Sequence, residues 1–551
     1  VQKLTGAEYI AQVLNRNGIT HVFYIETILR KTMIEMEKLG IRRILTHGEK
    51  AAVYMADGYA RIRNAPGVCM AQSVGAANLA AGLQDPYLGH SPVIAFTGRK
   101  PPMQQNRRSY QEIDHNVMFE PVTKYNERLD DIRQLPLMLR HAFKAVTSGA
   151  PQPAHIDLLG YVGNLTEEQT GEFQVFHEEA FSRIPAFRPA PEKRFLEQAA
   201  KALMEARNPI VVAGKGVLLS GAKKIFRDFI HKINIPAATS VDGKTILLDD
   251  DSHYVGPVGT YSRKCANKSV SEADLVFFIG TTVSDQLTVD WTIPAVGTKV
   301  IQLDIELFEP GRNYPETICL HGDVKLTLES LIQMLPEKLV EQRWMNTCRR
   351  YVTEWRSSIE ALRNSDESPI TPERLCREIT VNLPKDAILV SDTGYSAVWV
   401  ATQIDFYSDE QTMIRAAGSL GWAFPASIGA KCAAPDRPVI CFTGDGAFWY
   451  HLQEMETASR WGINTVTIIN NNSVLAQSIP GIHEAYRDDD GRPEDMYTYT
   501  DTNFAMIAQN MGCIGIEVTD PAELGQVIKE ALKSEKPVVI DVKTKGFVQP
   551  L

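Results

Sequence analysis

Two hydrophobic periods alternate along this chain. After Thr5-Gly6-Ala7-Glu8, which reads as a capping box with Thr5 as cap and Glu8 reaching back, Ile10, Val13 and Leu14 recur at helical spacing. Val1 to Thr5 are expected to enter that helix directly. His21–Ile25 then reads as a strand, Ile28–Glu37 as a helix, Arg43–Thr46 as a strand and Glu49–Arg63 as a helix. Gly67–Gln72, Ala76–Gln84 and Pro92–Phe96 continue as strand, helix and strand. Such alternation predicts parallel strands joined by right-handed crossovers. The pattern repeats twice. Pro209–Ala213, Asp274–Gly280 and Lys299–Leu303 are apolar strands of a second block, and a charged helical segment, Leu335–Ser365, leads to a third. There Ala387–Val390, Pro438–Thr443, Thr465–Ile469 and Pro537–Val542 read as strands. Leu165–Arg194, polar and scattered with Glu and Pro, reads as a linker. The expected architecture is α/β: three doubly wound α/β domains over 1–180, 190–340 and 370–551, with ligands at the carboxyl ends of strands.

Composition narrows the function. The 551 residues are 44% hydrophobic and 23% charged, the balance of a globular protein. With 57 Lys and Arg against 67 Asp and Glu, the formal charge is −10, which argues against a nucleic-acid partner. No apolar run reaches the ~20 residues of a membrane span, and no apolar signal core opens the chain. The eight cysteines include no C-x-x-C pair, so reduced, buried thiols and a cytoplasmic location are expected. An enzyme acting on a small molecule fits best.

Candidate chemistry concentrates in the third block. Cys441-Phe442-Thr443-Gly444-Asp445-Gly446-Ala447 closes a strand and opens a helix expected over Phe448–Trp461. The next strand ends in Asn470-Asn471-Asn472-Ser473. One βαβ unit therefore sets an acid and amides at one sheet edge. Gly444 and Gly446 let backbone approach an anion, and the helix start behind them offers unpaired N–H groups. Asp445 and Asn472 are hard oxygen ligands suited to Mg²⁺ or Ca²⁺. Asp445 alone would repel a phosphate, so a cation must stand between them.

With these residues the chain resembles the thiamine-diphosphate-dependent enzymes of the acetolactate synthase, pyruvate oxidase and benzoylformate decarboxylase group. The resemblance covers nearly the whole chain. It implies pyrimidine-binding, central nucleotide-binding-like and diphosphate-binding domains in that order, with thiamine diphosphate and Mg²⁺ as cofactors. It assigns the metal to Asp445, Asn472 and the main-chain carbonyl of Val474, and the diphosphate loop to Gly444, Gly446 and Ala447. Asp392-Thr393-Gly394-Tyr395-Ser396 fits a phosphate-side loop, which adds Tyr395 and Ser396. Gly418-Ser419-Leu420-Gly421-Trp422-Ala423 resembles the segment that bends the cofactor, with Leu420 under the bend and the Gly418 carbonyl accepting from the 4′-amino group. His47-Gly48-Glu49-Lys50-Ala51-Ala52 resembles the segment bearing the catalytic glutamate, Glu49, whose carboxyl in that family bonds the aminopyrimidine and promotes formation of the ylid. Tyr110-Gln111-Glu112 resembles a segment whose glutamine reaches the substrate, and Ser73–Asn78 a loop at the pyrimidine, where Asn78 could cap a helix or bond the cofactor. Asp114 reads as structural.

Two departures stand out. Many relatives carry G-x-P-G after the second strand; here the run is Tyr24-Ile25-Glu26-Thr27-Ile28, which puts the carboxylate of Glu26 where that loop faces the reacting carbon. The central block lacks the arginine-rich segment of flavin-binding relatives, reading Gly280-Thr281-Thr282-Val283-Ser284-Asp285-Gln286 instead. This counts against FAD and ADP, although Gly214-Lys215-Gly216 and Asp304 leave a nucleotide open. Val474–Thr500 is expected to cap the cofactor channel, with His483 a candidate acid or base. The reading is a carbon–carbon lyase or carboligase acting on a 2-oxo acid or related carbonyl donor, acetolactate-synthase-like. Its rivals are a hydrolase cleaving a 1,2-dione, like cyclohexane-1,2-dione hydrolase, and a flavin-dependent 2-oxo acid oxidase. The family's site lies between two chains, which implies a homodimer at minimum and a homotetramer as the commoner state.

Overall fold

A computed structural model describes residues 2–26 and 28–546. Three six-stranded sheets, all of whose pairs are parallel, follow one another along the chain, each flanked by helices. In the first, the spatial order is Arg42–Leu45, His21–Tyr24, Gly67–Gln72, Val93–Arg99, Ala154–Leu159 and Tyr125–Arg128. In the second it is Tyr254–Pro257, Ala237–Thr239, Pro209–Ala213, Leu275–Ile279, Lys299–Asp304 and Ile318–His321. In the third it is Thr412–Arg415, Ile388–Ser391, Val439–Gly444, Val466–Asn471, Val538–Lys543 and Ile514–Val518. The central strands are buried on both faces, which is why they read as unbroken apolar runs such as Leu275–Ile279. No helix among the described residues is long and apolar enough to cross a membrane.

Three local expectations need correction. Gln2–Thr5 is a strand, paired antiparallel with Thr170–Phe173, before the capping box of Thr5 and Glu8 opens the helix Gly6–Arg16. The partner strand lies inside the segment read as a linker; its Thr170 and Glu172 are exposed while Phe173 is buried against Tyr9. The helix expected over Phe448–Trp461 is two, Asp445–Phe448 and Glu454–Trp461, separated by turns.

The first and third units share one core. Tyr54, Met55 and Tyr59 of the helix Glu49–Arg63 share a core with Phe424 and Ile428 of the helix Ala423–Ala433 and with Trp422, which precedes it. Glycines set the closeness of these helices: a Cβ on Gly58 would fall 2.1 Å from the Ala426 carbonyl oxygen, and one on Gly429 would fall 1.8 Å from that of Met55. The helix that begins at Glu49 is thereby clamped to the helix that follows Leu420.

Candidate active site

The third sheet reverses its winding between Ile388–Ser391, whose crossover leads outward to Thr412–Arg415, and Val439–Gly444, whose crossover leads the other way to Val466–Asn471. Such a switch point opens a crevice at the carboxyl ends. Three segments meet there. Gly444 pairs in register with Asn470, and a Cβ on Gly444 would stand 3.5 Å from Ser396 Oγ. Gly394, at φ 66°, turns the chain into the helix Tyr395–Gln403. Asp445 is 3% exposed. Burial pushes its carboxyl up to about 6, against backbone N–H bonds from Gly446 and Ser473. On the neighbouring strand the Asn470 Oδ1 is buried without a hydrogen-bond partner among the described residues. Asn472 is half-buried; its Oδ1 accepts from the Val474 N–H at 3.3 Å and its Nδ2 donates to the Gly546 carbonyl at 3.2 Å. Ser473, at φ 59°, makes the turn that brings Val474 back. A buried carboxylate, amide oxygens and a returning carbonyl form a hard oxygen donor set, so these residues fit a small divalent cation.

The loop bearing Gly418 and Leu420 is held by two buried carboxylates. Asp392 accepts from the N–H groups of Gly421 and Ala423, both at 3.0 Å, and burial pushes it up to about 6. Asp85, from the first unit, accepts from the N–H groups of Ala417 and Ser419, also at 3.0 Å. Asp85 and Asp57 flank Arg61, which donates to them at 3.0, 2.8 and 2.7 Å and to the Arg415 carbonyl at 2.6 Å. Asp57 also accepts from Trp422 Nε1 at 2.9 Å. Leu420 is left half-buried, and open space surrounds the Cβ position of Gly418.

The other predicted residues gather at the carboxyl edge of the first sheet. Glu49 opens its helix after Gly48 and accepts from Asn78 Nδ2 at 3.0 Å. A Cβ on Gly75 would sit 2.8 Å from Glu49 Oε1, so the loop after the strand Gly67–Gln72 lies directly against the Glu49 carboxyl. Gln111, at φ 58°, receives Ser73 Oγ–H on its carbonyl at 2.5 Å and the Tyr161 hydroxyl on its side-chain oxygen. Asp114 caps the helix His115–Phe119, as expected of a structural residue. Glu454 was not anticipated. Fully buried, it accepts from the His47 N–H at 3.0 Å and from Thr457 Oγ at 2.7 Å, and burial pushes it up to about 7. It fixes the loop that presents Glu49.

Glu26 is exposed and paired with Arg30 at 2.6 Å. His483 is exposed on the helix Ile479–Ala485, its Nε2 3.2 Å from the Tyr497 hydroxyl. Within one chain Glu49 lies against Glu454's loop, and its hydrogen-bond partner among the described residues is Asn78, not a group of the Gly444–Ala447 turn. Asn78, Val74 and Gly418 face outward, as do Trp449 and Tyr450. A cavity of about 670 Å³ lies where the central unit meets the other two, lined by Gly216, Thr281 and Asp304 of the central unit, His90 of the first and Arg415 of the third. Lys215 there is half-buried and donates to the carbonyls of Gly89 and His90 at 2.7 and 3.3 Å, which leaves it occupied rather than aimed at a phosphate. Burial pushes Asp304 up to about 7.

A glycine-flanked buried aspartate at a switch point, preceded by two like-built α/β units, defines the class. Residues 4–118, 196–331 and 392–542 match, respectively, the N-terminal TPP binding, central and C-terminal TPP binding domains of thiamine pyrophosphate enzymes. The chain belongs to the thiamine pyrophosphate enzyme family. It is 31% identical to a probable acetolactate synthase large subunit from Methanocaldococcus jannaschii, over 98% of this chain and 92% of that one. It is 29% identical to the corresponding protein of Methanococcus aeolicus, with the same coverage, and 28% identical to the acetolactate synthase large subunit of Haemophilus influenzae, over 100% of this chain and 96% of that one.

Proposed function

We propose that the protein is a thiamine-diphosphate- and Mg²⁺-dependent 2-oxo acid decarboxylase or carboligase of the acetolactate synthase kind. The observation that carries this reading is the buried Asp445 carboxyl, flanked by Gly444 and Gly446 at the carboxyl end of the strand that pairs Gly444 with Asn470. Asp445, Asn472 and the Val474 carbonyl would hold the Mg²⁺, and the turn of Gly444, Gly446 and Ala447, with Tyr395 and Ser396 opposite, would take the diphosphate, Gly444 and Gly446 adding no Cβ. Thiamine diphosphate, when bound, supplies a nucleophilic carbon and an electron sink for making or breaking a bond beside a carbonyl. Leu420 would be the apolar support, and the Gly418 carbonyl, two residues before it, would accept from the 4′-amino group. Glu49, steadied by Asn78 and by the loop that Glu454 fixes, holds and passes a proton. Gln111, oriented by Tyr161, orients the substrate. Glu26 and His483 are the further candidates for proton transfer.

The outward-facing Asn78 and Gly418 support a site completed by a second chain, Glu49 coming from one and Asp445 from the other. A homodimer is then the smallest active unit and a homotetramer the expected assembly, in the cytoplasm. Incubation with pyruvate tests the reading: acetolactate or acetaldehyde supports it. The Glu26–Arg30 pair in place of a proline-glycine turn favours one second reading, hydrolysis of a 1,2-dione, which ring opening of cyclohexane-1,2-dione without turnover of pyruvate would establish. The central cavity stays outside both readings, and flavin bands in the purified protein would reinstate an oxidase.

A further inference from the structure

A second cluster of ligand-type side chains lies at the opposite, amino-terminal edge of the central sheet. The helix Lys223–Ile233 ends there beside the turn that leads into the strand Tyr254–Pro257. His231, in the last helical turn, and Asp251 and His253, on the turn, bring three ligand atoms within 4.8 Å of one another. His231 Nε2 is 2.9 Å from Asp251 Oδ2, and His253 Nδ1 is 3.5 Å from Asp251 Oδ1. The two imidazoles stack, with centroids 4.3 Å apart.

Hydrogen bonding around the cluster fixes a tautomer. Asn234 Nδ2 donates to the Val340 carbonyl at 3.1 Å, so the Asn234 oxygen is the atom that faces His253 Nε2 at 3.3 Å. That oxygen can only accept, which puts a proton on Nε2. In a neutral ring Nδ1 is then a bare lone pair. It faces a carboxylate oxygen that already accepts the His253 backbone N–H at 2.9 Å. Ser252 Oγ, at 3.3 Å from Nδ1, is a distant donor for it. Two acceptors turned toward each other ask for a cation between them. An outer oxygen accepting the second ring N–H is also how metal-bound histidines are oriented. The helix end adds partial negative charge from its last carbonyls, and Arg227, one turn earlier, has its own charge spent on Asp409 at 2.9 Å.

We propose that His231, Asp251 and His253 form a divalent transition-metal site, with zinc the ion that this two-imidazole, one-carboxylate set suits. Tetrahedral zinc with bonds of about 2.0–2.2 Å separates its ligand atoms by about 3.3–3.6 Å; the one oxygen Asp251 Oδ1 lies 3.2 Å from His231 Nε2 and 3.5 Å from His253 Nδ1. His231 keeps 46% of its side chain exposed, which leaves a fourth position for water. The ion would tie the helix end to the turn, so it acts on stability and not on turnover.

The test uses metal-stripped protein reloaded with thiamine diphosphate and excess Mg²⁺, so that the Asp445 site is filled, and titrated with zinc chloride by calorimetry. The expected result is one zinc per chain and a melting temperature raised by zinc. His231→Gln, at a surface position that does not threaten folding, and His253→Gln should each weaken zinc binding by about tenfold or more with kcat unchanged. Absence of zinc binding by the wild type, which would mean that a proton fills the cluster, overturns the proposal. So does a zinc affinity in both variants equal to that of the wild type.

Discussion

Replacing Arg61 by methionine probes the joint between the helix of Glu49 and the loop of Gly418. The guanidinium is 2% exposed and sits between two carboxylates that are 0% exposed. It bonds Asp57 through two nitrogens, Asp85 through one and the Arg415 carbonyl through another, and lies 4.6 Å from the Trp422 ring centre. Burial alone would lower its pKa, but the two aspartates outweigh this and hold it raised. Methionine fills most of the volume and removes the charge. Asp57 and Asp85 then face each other unpaired in a dry core. Removing one partner of such a buried pair costs about 3–5 kcal/mol, far above the 0–1 kcal/mol of a surface pair. The deficit should depend on pH. Burial already raises the Asp85 carboxyl above the ordinary range, and loss of Arg61 raises it further. A carboxyl whose folded pKa lies above its unfolded one destabilises the folded state most at high pH and ceases to do so below the unfolded pKa. Urea unfolding of Arg61→Met should therefore show the full deficit at pH 8 and a smaller one at pH 5. A deficit under about 1 kcal/mol, or one that does not change with pH, would refute the reasoning.

Glu49→Gln should lower kcat by about 10²–10⁴-fold while thiamine diphosphate still binds; steady-state kinetics and calorimetry together check this, and undiminished turnover removes Glu49 from its role. Burial raises the Glu454 carboxyl from 4.5 to about 7, so its ionisation costs the folded state about 3 kcal/mol. Relative to Glu454→Gln, wild-type stability should fall as pH rises from about 4.5 to about 7 and stay level above that; a constant difference across this window contradicts the assignment. Gly58→Ala, whose Cβ would meet the Ala426 carbonyl oxygen at 2.1 Å, should cost about 1–3 kcal/mol by parting the two helices, read as a lowered melting temperature.

Much of the third unit's edge was legible because its chemistry is local. Gly444, Asp445 and Gly446 are consecutive, and Asn472 follows after a single crossover, so strand–helix–strand periodicity alone puts them together. The residues that hold this edge were not legible. Asp85 reaches the Ala417 N–H across 332 positions, Asp57 reaches Trp422 across 365 and Glu454 reaches His47 across 407. Nothing in local periodicity marks an aspartate that caps another unit's loop, and in a helix Asp57 looks like any exposed acid. The strand Gln2–Thr5 was missed for a related reason. Its stability comes from Thr170–Phe173, far along the chain, while its own residues also suit a helix entry. The break after Phe448 has no proline or glycine to announce it. It arises because Trp449 to Gln453 turn before Glu454 resumes the helix, which directs Glu454 at His47.

The account rests on a divalent ion at Asp445 that anchors the diphosphate, and calorimetric titration of thiamine diphosphate into metal-stripped protein tests this most directly. With Mg²⁺ present the wild type should bind the cofactor, and omission of Mg²⁺ or the substitution Asp445→Ala should each weaken binding by about 100-fold, or about 2.8 kcal/mol. Binding of equal strength with and without Mg²⁺, or unchanged in Asp445→Ala, would contradict it.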